Sequence, residues 1–114
     1  MMTEFVKVCT LGDVPDGGMV GVTALGADVL LVRVGETIHA IDNLCSHAGA
    51  WLELGTLPPA TCEVECPVHE GRFDLRTGAA TRGPAEDPVR VYAVRIEGDD
   101  VLVGPAPRES APRG

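Results

Sequence analysis

The sequence predicts an all-β fold, and three observations carry the prediction. Fourteen glycines and nine prolines in 114 residues interrupt the chain too often for long helices. Its apolar residues come in short, largely β-branched runs and show no spacing of three and four. Those runs are separated by turn-forming residues at short intervals, the pattern of a small sheet protein. At this length the chain is one domain, with 45% apolar, 23% charged and 4% aromatic residues.

Residues 4–10 (EFVKVCT) alternate well enough for a strand, and 11–18 (LGDVPDGG) form a turn cluster. Residues 19–25, 29–34 and 37–41 are short apolar runs separated by Gly26 and Gly35, which predicts a meander of strands with a tight turn at Gly35 and Glu36. Residues 42–60 hold Asn43, Cys45, His47, Gly49, Trp51, Gly55, Pro58 and Pro59 and show no sustained period. Residues 61–65 read as a strand with Cys62 and Val64 on one face and Glu63 and Glu65 on the other; 66–71 are a second irregular loop. Residues 72–75 form a short strand closing at a turn of Thr77 and Gly78, and 82–88, with Pro84 and Pro88, a stiff extended loop. Residues 89–97 (VRVYAVRIE) are expected as one continuous strand, folded back at 98–100 onto a hairpin partner at 101–103. The domain is expected to span 1–104, with residues 105–114 a tail of disorder-prone composition.

Seventeen acids against nine bases give a net charge of −8. Such a surface repels the phosphates of nucleic acid and favours a partner with a basic docking face. No run approaches the ~20 apolar residues of a membrane span, and MMTEFVKV lacks the basic and apolar regions of a secretory signal. The expectation is a cytoplasmic protein with no membrane partner. Structural disulfides rarely persist in that compartment, so Cys9, Cys45, Cys62 and Cys66 raise metal binding or redox chemistry above a disulfide framework.

Two pairs stand out: Cys45-Ser46-His47 and Cys66-Pro67-Val68-His69. Each puts a thiolate and an imidazole within one turn of backbone. The eighteen residues between the pairs suffice for a strand and return that brings both loops face to face. Such Gly- and Pro-bearing loops can turn backbone N–H groups towards a buried anion. A Cys2His2 zinc site would use the same residue types, but a zinc finger carries its two histidines together on a helix, whereas here each follows its own cysteine in a β context. All-cysteine ligation of the plant ferredoxin kind needs C-x4-C-x2-C, and Cys62 and Cys66 have the wrong spacing. Cys9 and Cys62 read as small core residues, His39 as a strand residue, and Glu70 as a solvated carboxylate.

C-x-H followed by C-x-x-H, set in IDNLCSH and CPVHEGRFD, with Trp51 after the first pair, resembles the Rieske [2Fe–2S] family, in which two histidines replace two cysteines on one iron. The similarity continues through the Thr77 and Gly78 turn, the proline loop and VYAVRIEGDDVLV, and so runs over roughly residues 4–103. It implies small antiparallel sheets: a base β-sandwich from the terminal segments and a cluster-binding subdomain at about 42–88. It also implies one [2Fe–2S] cluster per chain, with Cys45 and Cys66 on the inner iron and His47 and His69 on the outer. Pro84 would lie in a loop that shields the cluster, while Trp51 either gates docking or caps its loop.

Within that family the chain looks like the ferredoxin component of bacterial aromatic-ring-hydroxylating dioxygenase systems. This implies a monomeric one-electron carrier, not itself an enzyme. An NAD(P)H-dependent ferredoxin reductase would load it and a terminal oxygenase would receive its electrons. The sequence has no Gly-rich dinucleotide fingerprint, and an oxygenase iron site would need a further domain. The competing readings are the small subunit of an assimilatory nitrite reductase and a zinc-stapled interaction module. The chain departs from the family in a slightly longer spacer, in Trp51 falling one place later, and in lacking the extra loop cysteines of the high-potential respiratory proteins, whose neighbourhood Ala48, Gly49 and Val68 fill. Residues 42–88 carry eight acids against three arginines, a field that disfavours adding an electron. Both features point to the lower end of a range of about −150 to +300 mV.

Overall fold

The computed structural model describes residues 5–44, 51–58, 61–68, 71–82 and 88–105. The described residues form ten strands: β1 (Val6–Thr10), β2 (Met19–Ala24), β3 (Ala27–Val34), β4 (Thr37–Asp42), β5 (Glu63–Glu65), β6 (Arg72–Asp74), β7 (Ala80–Arg82), β8 (Val91–Tyr92), β9 (Val94–Glu97) and β10 (Asp100–Val103). They pair antiparallel in three sheets, ordered β1-β10-β9, β2-β3-β4-β8 and β5-β6-β7. The tail at 106–114 lies outside the described residues.

The central sheet organises the molecule, and its longest strand shows why. Val29, Leu30, Leu31 and Val32 of β3 are all fully buried. Alternate side chains of a strand face opposite ways, so four buried in a row require both faces of the sheet to be covered. Val29 and Leu31 join Ile38 and Ala40 of β4 in a core closed by Val101 and Val103 of β10. Leu30 and Val32 join Ile41 in a second core with Leu52, Val64, Cys66, Phe73, Leu75 and Val89. The terminal sheet thus covers one face of the central sheet, and the segment containing β5 and β6 covers the other.

The expected meander is present as β2-β3-β4, with Gly26 and Gly35 in the left-handed region at φ 78° and 64°. The β9–β10 hairpin is also where the sequence places it, turning at Gly98. The expected single strand over 89–97 is corrected: Tyr92 pairs with Ala40 in the central sheet, whereas Val94 pairs with Val103 in the terminal sheet. Ala93 lies between, its carbonyl accepting the Gly104 N–H at 2.9 Å. A strand that passes between packed sheets must leave one ladder to enter the other, and a continuous apolar run conceals that corner.

Three short elements are additional. One 3-10 turn at Leu11–Asp13 lies in the expected turn cluster, and another at Leu52–Leu54 buries Leu52 within the stretch that shows no period. Strand β7 follows the turn of Thr77 and Gly78, where Asp74 Oδ1 accepts the N–H groups of Arg76 (2.7 Å) and Thr77 (3.3 Å). Gly78 sits at φ 79°, and a Cβ there would overlap the Val89 carbonyl, so both conformation and close approach require glycine.

Candidate metal centre

Of the four side chains that the sequence singles out as ligands, Cys66 is described; Cys45, His47 and His69 lie outside the described residues, as does Pro84. The structure does define the stems from which both ligand segments spring. Strand β4 delivers the chain to Asn43, which is 4% exposed and whose N–H donates to the Asp28 carbonyl at 3.0 Å. Leu44 then pairs with Trp51 in an antiparallel bridge, and Leu52 N–H donates to the Asn43 carbonyl at 2.6 Å. The ends of the segment holding Cys45 and His47 are therefore fastened side by side.

The second stem is built the same way. Glu65 and Arg72 face each other across β5 and β6, with Arg72 Nε 2.9 Å from Glu65 Oε1. Immediately beyond, the Cys66 N–H donates to the Gly71 carbonyl at 2.7 Å, closing the segment that holds His69. Cys66 is 2% exposed and packs with Leu52, Val64 and Phe73.

A third connection places the stems next to each other. Thr56 and Glu65 exchange backbone hydrogen bonds at 3.1 and 2.8 Å, tying the chain just after the first stem to the strand that enters the second. Gly55 permits the approach: a Cβ there would overlap the Glu65 carbonyl and lie 3.2 Å from Pro67 Cδ. In the sequence one cysteine follows or ends each stem, with one histidine two or three residues further along the chain. Two cysteines and two histidines are the residue types of a Rieske donor set. A cysteine buried at the root of the second stem is the kind of sulfur donor that a Rieske cluster requires on its inner side. The residues present fit the group.

Around this end the described residues present exposed apolar side chains: Leu44 and Trp51 at the first stem, Leu54 (67% exposed) on the 3-10 turn, and Val68 (51%) beyond Cys66. Trp51 stands at the mouth of the first stem, opposite Leu44. Cys9 and Cys62 are half-buried against the two cores, as expected of small core residues. His39 is half-buried in β4 with Nε2 3.8 Å from Cys62 Sγ; burial, helped by the Arg76 charge, pulls its pKa below the ordinary imidazole value.

The sequence gives no role to Asn43, Glu53 or Gly55, although they join the stems. The signal for Gly55 is its glycine in an otherwise apolar stretch; Asn43 and Glu53 meet only in three dimensions.

Comparison with known proteins agrees with this construction. Residues 4–93 match the family described as the Rieske [2Fe-2S] domain. The ferredoxin component of the naphthalene 1,2-dioxygenase system of Pseudomonas aeruginosa is 38% identical over 103 residues, covering 90% of this chain and 97% of that protein. The ferredoxin of carbazole 1,9a-dioxygenase from Nocardioides aromaticivorans IC177 superposes with a TM-score of 0.85 at 44% identity, covering 89% of this chain and 97% of that one. A chain in a complex of reduced oxygenase and oxidized ferredoxin in carbazole 1,9a-dioxygenase superposes with a TM-score of 0.80 at 33% identity, over 87% and 91% of the respective chains. With its three small antiparallel sheets and two adjoining ligand stems, the chain belongs to the Rieske [2Fe-2S] domain family.

Proposed function

We propose that the chain is the ferredoxin of an aromatic-ring dioxygenase system. It takes single electrons from an NAD(P)H-dependent ferredoxin reductase and passes them to a terminal oxygenase. Cys45 and Cys66 hold the inner iron and His47 and His69 the outer. The observation that carries the reading is the pair of adjoining stems, each bearing one cysteine, in a chain whose relatives are ferredoxin components. When bound, the cluster supplies a one-electron couple.

The chain's own residues do the rest. Cys66 anchors its side of the site in the core shared by Leu52, Val64 and Phe73, which excludes water from the sulfur side. Each histidine follows its cysteine in the sequence, and we take the histidine-bound iron as the side from which electrons leave. Leu44, Trp51, Leu54 and Val68 supply an apolar rim on which a partner can dock closely. The excess of acids steers a basic partner face and keeps the encounter brief. Among the described residues no helix is long and apolar enough to cross a membrane. We place the protein in the cytoplasm, where thiolate ligands stay reduced and the nicotinamide-dependent reductase works.

The test is rapid mixing of the chemically reduced protein with an oxidised Rieske dioxygenase. Bleaching of one centre matched by reduction of the other, one electron per chain, is expected. A reduced protein that transfers nothing to any such oxygenase, yet co-purifies with a sirohaem-bearing nitrite reductase, contradicts the proposal.

A further inference from the structure

Asn43 is the one buried polar side chain among the described residues, and both ends of its amide bond to Glu53. Its Nδ2 donates to Glu53 Oε1 at 2.9 Å, and its Oδ1 accepts the Glu53 backbone N–H at 3.0 Å. With the Asn43 carbonyl taking the Leu52 N–H at 2.6 Å, three hydrogen bonds join positions 43 and 52–53, bracketing the segment that holds Cys45 and His47. The pair borders a cleft of about 300 Å³ between Thr23, Asp28 and Trp51. Strand β2 makes room for it at Gly21. An added Cβ there would overlap the Glu53 carboxylate, approach Asn43 Nδ2 to 2.7 Å and lie 3.1 Å from Glu53 Cδ.

We infer that Asn43 and Glu53 form a clamp that positions the first ligand loop, with Gly21 as the gap that admits it, so that the clamp governs cluster retention and the symmetry of the iron site. The inference rests on the assignment of Cys45 and His47 as ligands. Groups that orient metal ligands typically change metal retention about 10- to 100-fold when removed. The clamp is suited to that role because it joins the loop's two ends by side-chain hydrogen bonds and not by packing alone. The Asn43 amide is also buried, so losing Glu53 leaves its Nδ2 short of a partner. The carboxylate contributes as a hydrogen-bond acceptor; its charge is incidental to positioning.

Four variants of the cluster-loaded protein separate these roles. Asn43→Ala removes both side-chain hydrogen bonds of the clamp, and Glu53→Ala removes the one to the carboxylate. Gly21→Ala displaces it from the neighbouring strand without altering either member. Glu53→Gln keeps an acceptor for Asn43 Nδ2 and removes the charge. Three quantities are measured: the rate of cluster loss to a chelator, the EPR g-values of the reduced protein, and hydrogen exchange of the Leu52 and Glu53 amides. The clamp predicts that the first three variants lose cluster about 10-fold faster and share one shift in g-values. It predicts that Glu53→Gln keeps the wild-type rate and g-values, and that Asn43→Ala with Glu53→Ala is no worse than either alone. Wild-type retention and g-values in all three disruptive variants would overturn it, as would a Glu53→Gln variant indistinguishable from Glu53→Ala. A wild-type protein without acid-labile sulfide would instead refute the ligand assignment. Amide exchange would then still decide the clamp: protection at Leu52 and Glu53, lost in Asn43→Ala and Gly21→Ala, upholds it, and exchange already fast in the wild type removes it.

Discussion

The Tyr92 hydroxyl donates to Asp42 Oδ1 at 2.6 Å, and Arg90 Nε lies 3.3 Å from the other oxygen of the same carboxylate. Asp42 ends β4 and lies three residues before Cys45, so this network secures the approach to the segment that holds Cys45 and His47. Burial, reinforced by Asp42, holds the Tyr92 phenol pKa well above its ordinary value. A raised folded-state pKa means that this contribution is fully present below the unfolded phenol pKa of about 10 and is lost as pH rises through the folded value. Tyr92→Phe is therefore expected to cost about 1.5 kcal/mol at neutral pH and to flatten the fall in stability above pH about 10, as measured by denaturant midpoints at neutral and alkaline pH. At the ligands, His47→Cys or His69→Cys exchanges a neutral donor for an anion and is expected to lower the midpoint potential. Redox titration of variants that retain a cluster checks this, and an unmoved midpoint removes that histidine from the ligand set. The two Cys–His pairs stand out in the sequence because ligand chemistry needs those residue types at short, fixed separations, and the stems around them are what the structure adds. Asn43 with Glu53 is not legible, since ten residues of intervening chain carry no pattern that announces a hydrogen bond.

At the scale of elements, the meander and the closing hairpin are legible because turn glycines punctuate apolar runs, and those glycines adopt positive φ. The division of 89–97 into β8 and β9 is not, because Val91, Val94 and their neighbours look alike whichever sheet they join. Strand β7 escapes for a related reason: three residues, ATR, are too few to show alternation, and register with Arg72 and Phe73 of β6 fixes them. Cys62 also departs from the strand reading of 61–65, since it sits at φ 56° just before β5, with its carbonyl accepting the Leu75 N–H at 2.9 Å. The joint between the two stems belongs to this scale too. Gly55→Ala forces a Cβ against the Glu65 carbonyl, and the expected cost is about 1–3 kcal/mol, the usual range for overpacking. It should appear as a lower denaturant midpoint together with faster cluster loss. Unchanged stability would show that the stems do not depend on this approach.

For the molecule as a whole, a central sheet buried on both faces carries the terminal sheet on one side and the ligand stems on the other. The second core therefore runs from β3 to Cys66 itself, so folding and site geometry are one packing problem. The excess of acids and the apolar rim predict how the protein meets its partners: Leu54→Gln, a neutral change at the most exposed apolar side chain of the rim, should reduce kcat/KM for the oxygenase about 10-fold while leaving the midpoint and EPR signal in place. Added salt should slow electron transfer chiefly through the association rate. A rate insensitive to both would place docking elsewhere. The central claim, that one cluster is held by two sulfurs and two imidazoles, is tested most directly by pulsed EPR of the reduced protein carrying ¹⁵N-labelled histidine. The account predicts a rhombic signal averaging below the free-electron g value, with two strong imidazole nitrogen couplings, one of which disappears in each His47 or His69 variant. A signal without histidine nitrogen coupling, or protein lacking acid-labile sulfide after anaerobic reconstitution, would contradict it.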